Sequence, residues 1–253
     1  MRRFFVEQIK ESDGTCSITG PEARHITRVL RMTAGDRFVL MDSQGARFQV
    51  IIESAGSRCV QVTLEKPLPK PLPSPVMITL CQALLKSRNM DYLIQKTSEL
   101  GVDRILPFTS ERTAITLRRD RIASKMKHWR EIAQSSAKQS DRSMPAKIET
   151  LYPFAELMAE DKGKDALKVI LWEGERSKGL KGMLKTSSPM GTFVGMVGPE
   201  GGFTLEEIEA ARAAGFVPVS LGNRILRAET AAITMVAIAQ YEWGDLSLSN
   251  VID

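Results

Sequence analysis

Two kinds of apolar periodicity follow one another along the chain, and the change between them falls at a proline-rich stretch. Ahead of it, short runs alternate with a period of two. Arg37-Phe38-Val39-Leu40-Met41 and Arg47-Phe48-Gln49-Val50-Ile51-Ile52 flank Asp42-Ser43-Gln44-Gly45 and predict a hairpin. Cys59-Val60-Gln61-Val62-Thr63-Leu64 predicts a further strand, and Pro21 to Arg31 a short helix ending near Gly35. Residues 1–68 therefore read as a small β-barrel with one helix. Between Lys66 and Pro75 every second residue is proline, which predicts an extended, semi-rigid path that no strand or helix crosses.

Beyond that path, residues 74–250 alternate strands with helices, the signature of an α/β domain with a parallel sheet. Strands are predicted over 76–83, 102–108, 167–172, 192–197 and 217–221. The runs at 167–172 and 192–197 are apolar but for Lys168 and Thr192, as in a strand covered on both faces. A helix over 89–100 turns Met90, Leu93, Ile94, Thr97 and Leu100 inward and stops at Gly101. A longer one over 121–139 buries Ile122, Met126, Trp129, Ile132, Ala133 and Ala137. Thr204, with Glu207 three residues on, forms a capping box for a helix that Gly215 ends, and 228–243 is an apolar closing helix.

Composition narrows the classes. Apolar residues are 43% and charged residues 26%, as in an ordinary globular chain. No run of about eighteen apolar residues exists to span a membrane, and Met1-Arg2-Arg3-Phe4-Phe5-Val6-Glu7 lacks a secretory leader's pattern. A cytoplasmic protein without a membrane partner is expected. Cys16, Cys59 and Cys81 are far apart and read as buried thiols in a reducing compartment. With only His25 and His128, neither a metal centre nor a Ser-His-Asp triad is expected.

The net charge of +5 says little, but its distribution says more. Residues 112–147 hold ten Lys/Arg against three acids, a local net of +7 that leaves −2 for the rest. Such concentration suits a phosphate backbone better than a merely solvated helix face. Arg24, Arg28 and Arg31 recur at helical spacing, where phosphate contact and a solvated face stand equal.

Three glycine-bearing loops follow predicted strands: Leu171-Trp172-Glu173-Gly174, Gly198-Pro199-Glu200-Gly201-Gly202-Phe203-Thr204, and Leu221 to Ala231. In open α/β sheets ligands bind beyond the carboxyl ends of strands. Neither phosphate-binding glycine fingerprint is present, and Glu200 would repel a phosphate. A zwitterion bearing a cationic centre, such as S-adenosylmethionine (SAM), suits these loops better. Glycines that merely shape tight turns remain the alternative on spacing alone.

Gly198–Thr204 followed by Leu221-Gly222-x-Arg224-Ile225-Leu226-Arg227-x-Glu229-Thr230-Ala231 closely resembles the signature of the RsmE family, the 16S rRNA (uridine-N3)-methyltransferases of the SPOUT class. Leu85-Lys86, Gln95-Lys96-x-x-Glu99-Leu100-Gly101-Val102, Ser110-Glu111-Arg112, Trp129, Gln139-Ser140-x-Arg142, His25-x-x-x-Val29-Leu30-Arg31 and Gly35-Asp36 match as well, over nearly the whole chain. The resemblance implies a PUA-like RNA-binding barrel over 1–68 and a SPOUT (α/β-knot) methyltransferase domain over 74–250, its C-terminal segment threading a trefoil knot. It implies a homodimer with the active site at the subunit interface. The implied target is one uridine in the decoding region of 16S rRNA, met in the small ribosomal subunit. The implied cofactor, SAM, would be held by Leu171, Trp172, Glu173, Val197, Gly198, Gly202, Leu221, Gly222, Ile225, Leu226, Arg227, Thr230 and Ala231. Arg24, Arg28, Arg31, Lys86, Arg112 and Arg142 would meet RNA. Ser87, Arg88, Ser135 and Asp141 depart from the family's usual residues, which loosens the RNA contacts but not the cofactor loops.

Methylating uridine N3 requires removal of its proton from a base that is unpaired or flipped. Arg227 and Arg224 are candidates to stabilise the charge that spreads onto O2 and O4, and Glu200 or Glu229 to accept the proton. In the competing reading Arg227 and Glu229 pair with each other and only brace the knot. Two other functions stand beside the main one: a SPOUT enzyme acting on another RNA, and a non-catalytic RNA-binding or ribosome-assembly protein.

Overall fold

The computed structural model describes residues 1–10, 14–42, 44–69, 73–142, 144–160, 163, 165–187 and 191–246. Ser43 of the predicted turn, Lys70 to Leu72 of the proline path and the end of the second predicted domain at 247–250 lie outside them. The chain divides into two compact units, Met1–Leu72 with Ala137–Met144, and Pro73–Ser136 with Pro145–Asp253.

In the first unit β1 (Arg3–Val6), β2 (Thr15–Thr19), β3 (Arg37–Asp42), β4 (Arg47–Ala55) and β5 (Cys59–Pro67) form one sheet in the order β1-β3-β4-β5-β2. The predicted hairpin is β3 and β4, with Phe38 opposite Val50 and Leu40 opposite Phe48. Its period-two apolar positions enter a core of Phe4, Ile18, Ile26, Phe38, Leu40, Val50, Ile52, Val60 and Val62. Two details differ from expectation. β5 continues to Pro67, opposite Phe48, so a strand does enter the proline stretch, where a residue without an N–H can still end a ladder. The predicted helix is a short α1 (Gly20–Arg24) that widens into a π turn over His25–Val29, and Arg31 follows at φ 51°. The wider turn breaks the 3.6-residue period, so Arg24, Arg28 and Arg31 do not share one α-helical face, although all three are exposed.

The unit also holds Ala137–Met144, which a boundary read from the prolines alone would miss. Asp141, at φ 60° where the family usually has glycine, pairs with Arg3 at 2.9 Å and Arg47 at 2.5 Å. Aspartate is among the few side chains that tolerate this backbone region.

The second unit carries β6 (Met77–Ala83), α2 (Ser87–Glu99), β7 (Arg104–Thr109), most of α3 (Arg119–Ser140), β8 (Lys147–Ile148), β9 (Tyr152–Pro153), α4 (Phe154–Ala159), β10 (Leu167–Leu171), α5 (Leu180–Thr186), β11 (Thr192–Val197), α6 (Leu205–Ala213), β12 (Val217–Val219) and α7 (Ala228–Trp243). The strands are parallel in the order β12-β10-β11-β6-β7-β8, with β9 also beside β7. β10 and β11, the two apolar runs, are interior strands, as their sequences predict. The two-residue β8 and β9 and the short α4 and α5 are too brief to leave a periodic trace. α7 packs its Ala232, Met235, Val236 and Ala239 into the main core with Leu80, Leu93, Val169 and Phe193. Its buried Gln240 donates to the Gly101 carbonyl at 3.1 Å and accepts from Ser74 at 3.0 Å. That carboxamide ties the closing helix to the turn after α2 and to the start of the unit. The three glycine-bearing loops thus leave the carboxyl ends of three adjacent strands, β12, β10 and β11.

Candidate active site

These three loops enclose a cavity of about 570 Å³. Its wall includes all four residues proposed for catalysis, Glu200, Arg224, Arg227 and Glu229. It also includes Leu171, Trp172, Glu173, Val197, Gly198, Gly202, Leu221, Gly222, Ile225, Leu226 and Ala231 from the expected cofactor set. Thr230 is the exception. It is exposed and off the wall, because the first turn of α7 carries Ala228, Glu229 and Ala231 around the cavity and points the intervening side chain outward.

Two of the loops are held by named contacts. Phe203 stacks on Phe108, rings 6.3 Å apart and 5° from parallel, and contacts the Phe154 ring at 6.2 Å. Gly198 lies against the Phe203 ring, where a Cβ would come within 3.0 Å of Cε2. The buried Gln82 carboxamide donates to the Gly198 carbonyl at 3.4 Å. Thr204 and Glu207 complete the predicted capping box at the start of α6. In the third loop the Ser220 hydroxyl accepts from the Gly222 N–H at 3.0 Å and also bonds its carbonyl, and Gly222 holds φ at 115°, a conformation natural to glycine.

The acids separate by environment. Glu229 is buried and its Oε2 has no hydrogen-bond partner, so this oxygen is not spent on Arg227. Glu200 is exposed and accepts the Lys86 backbone N–H at 3.4 Å. Glu175, also on the wall, is committed to its own turn. The Ser177 hydroxyl, then the backbone N–H groups of Ser177 and Lys178, hold its carboxyl at about 2, below the ordinary 4.5. Arg224 and Arg227 are exposed, as is Ile225 with 83% of its surface open.

The RNA candidates divide. Lys86 lines the cavity, and Arg112, after β7, donates from Nη1 to the Gly201 carbonyl at 3.2 Å. Arg24, Arg28, Arg31 and the half-buried Arg142 belong to the first unit and are not on this wall. Ser87 accepts from Lys125 at 2.6 Å, so this departure from the family residue binds α2 to the basic helix α3. Sequence reasoning did not single out Asn89, Arg176, Ser220 or Asn223, which also line the cavity. Ser220 and Asn223 adjoin or lie within a named loop, but nothing local marks Arg176. Cys16 and Cys81 are buried as expected, whereas Cys59 is half-buried.

The wall suits a ligand approached by backbone rather than by a phosphate cradle. Its glycines leave room for close contact, and Oε2 of its buried Glu229 carries no hydrogen bond. Among the described residues no group of three His, Cys, Asp or Glu is placed to hold a metal ion, and no helix is long and apolar enough to cross a membrane.

Residues 72–240 match the RNA methyltransferase domain family, and residues 18–65 match the RNA methyltransferase PUA domain. A ribosomal RNA small subunit methyltransferase E from Synechocystis sp. is 33% identical over 240 residues, covering 92% of this chain and 74% of the relative. The crystal structure of a ribosomal RNA small subunit methyltransferase E from Neisseria gonorrhoeae bound to S-adenosyl methionine superposes with a TM-score of 0.89 at 31% identity, covering 98% of this chain and all of that one. A putative methyltransferase from Legionella pneumophila in complex with SAM gives 0.88 at 31% identity, covering 96% and 98%.

Proposed function

The chain belongs to the ribosomal RNA small subunit methyltransferase E family, and we propose that it transfers a methyl group from SAM to N3 of one uridine in the decoding region of 16S rRNA. The observation that carries this reading is the cavity at the ends of β10, β11 and β12, walled by glycine loops and holding the unpartnered, buried Oε2 of Glu229.

SAM supplies the methyl group as a sulfonium electrophile. The protein's own residues supply the rest. Neutral uridine N3 has no available lone pair, so its proton must leave as the N–C bond forms. The Oε2 of Glu229 takes it, since Glu229 lines the cavity and this buried oxygen is bound to no other donor. Glu200 is left out because it is exposed and bonded to the Lys86 N–H. As the proton leaves, charge grows on O2 and O4, and the guanidinium groups of Arg227 and Arg224 face it from the wall. The backbone around Gly198, Leu221 and Gly222 seats the donor beside the base.

The RNA meets a basic surface formed by Lys86, Arg112 and the exposed cations of α3, including Arg121, Lys127 and Arg130. The first unit, a PUA-like domain, meets RNA through its own Arg24, Arg28, Arg31 and Arg142. The active form is a homodimer. An Ile225 side chain left 83% open at the cavity rim, and a Tyr241 left 62% open on α7, support a second copy covering this region. The segment from Leu221 through α7 is the threaded part of the trefoil knot of this fold class. The enzyme works in the cytoplasm on the assembled small subunit.

The test is transfer of labelled methyl from SAM to small ribosomal subunits lacking the modification. Wild type is expected to label them, and Glu229→Gln to bind SAM normally while losing most of the rate. Full activity in that variant removes Glu229 as the proton acceptor.

A further inference from the structure

Glu207 does more than close the helix cap. Its side chain is buried, and its two oxygens serve two different segments. Oε2 accepts the Thr204 N–H at 3.0 Å, the reciprocal half of the capping box. Oε1 accepts the N–H of Glu111 at 2.9 Å, 96 residues earlier in the chain. A helix cap needs the first bond only. The second bond reaches the turn after β7, which Ser110 and Thr113 close on themselves at 2.8 and 3.1 Å.

The same turn touches the Gly198–Thr204 loop at a second place. Arg112 donates from Nη1 to the Gly201 carbonyl at 3.2 Å. Gly201 is crowded by the turn: a Cβ there would stand 3.1 Å from Arg112 Cβ and 3.2 Å from its carbonyl oxygen, so a larger residue would press on Arg112. Arg112 also bears on the start of α6 electrostatically. The carboxyl of Glu206 lies below the ordinary range, chiefly through its own backbone N–H, then the Thr204 hydroxyl, with the charge of Arg112 adding to them.

We infer that Glu207 is a positioning residue that fastens the Ser110–Thr113 turn to the Gly198–Thr204 loop, so that Arg112 is presented to RNA beside the methyl-donor cavity, behind the loop that walls it. The tie rests on the reading of that cavity as the SAM site and of Arg112 as an RNA contact. A carboxylate is the group that fits. It offers two acceptor oxygens to two N–H donors, whereas a carboxamide places an NH₂ against one of them. Donor site and RNA-facing arginine then hold one geometry, and an error in the turn is felt as poor RNA engagement rather than as lost SAM.

The experiment is a double-mutant cycle of Glu207→Gln and Arg112→Ala, read by SAM affinity, by kcat and KM on unmodified small subunits, and by hydrogen exchange at the Glu111 amide. In the wild-type background Glu207→Gln is expected to lower kcat/KM for the subunit about tenfold while the SAM Kd moves by less than about twofold, and in the Arg112→Ala background its effect is expected to shrink to about twofold or less. The Glu111 amide should exchange faster in Glu207→Gln. Equal losses in both backgrounds, or an unchanged Glu111 exchange rate, overturn the tie. A role confined to capping α6 predicts that Thr204→Val reproduces all these changes, and that result also overturns it. If Glu207→Gln does not fold, Gly201→Ala approaches the same contact from the other side, and its effect must likewise vanish with Arg112→Ala. A wild type that binds no SAM sinks the methyl-donor reading, and Glu111 exchange still decides whether the tie exists.

Discussion

Gly198 and Phe203 are in contact across the first turn of the loop after β11: a Cβ built on the glycine falls 3.0 to 3.3 Å from three atoms of the ring. The ring cannot swing away freely, because it stacks on Phe108 and leans on Phe154. Gly198→Ala is therefore expected to displace the loop rather than the aromatic cluster. Overpacking of this kind costs about 1–3 kcal/mol. Calorimetry is expected to show SAM affinity lowered by about tenfold or more, with a smaller fall in thermal stability.

Arg227→Ala separates charge stabilisation from donor binding. Removing one group that stabilises a developing anion typically costs about 10²–10³ in rate. The expected result is a single-turnover rate lower by about that factor with SAM affinity little changed. A parallel loss of SAM binding assigns the arginine to the cofactor instead.

Acid pH probes the Glu175 turn. The carboxyl sits at about 2 rather than 4.5, so the turn's extra stability is complete above 4.5 and is lost as pH falls from there through about 2. The amide resonance of Ser177 is expected to titrate with a midpoint near 2, and Glu175→Gln to abolish that titration. The group is fully exposed, so the global stability should barely respond.

How far the sequence speaks for itself is visible in these same residues. The three loops were legible because glycines, apolar strands and a capping box are local signals, and Gly198, Gly222 and Glu229 all stand on the cavity wall. Thr230 was carried along by its neighbours, and only the helical turn of α7 shows that it points away. Gln82 left no trace, since it acts across strands that are distant in sequence. The same holds for Glu207. Its cap to Thr204 follows from spacing, whereas its bond to Glu111 needs the sheet order to bring β7's loop beside α6. The π turn after α1 escaped because one extra residue in a helical turn changes no residue type.

Gly101 tests the closing helix. It holds φ at 96°, and a Cβ there would lie 2.3 Å from Nε2 of Gln240. Gly101→Ala combines backbone strain of about 1–2 kcal/mol with displacement of a buried carboxamide. Chemical denaturation is expected to show a loss of about 2 kcal/mol or more, with the slope unchanged.

The most direct measurement maps the product. Purified protein, labelled SAM and small ribosomal subunits lacking the modification are incubated together, and the rRNA is digested and read by mass spectrometry. The expected result is a single methyl group on N3 of one uridine in the decoding region of 16S rRNA. A methyl group on a ribose hydroxyl, on another base or on another RNA, or no methyl group at all, contradicts it.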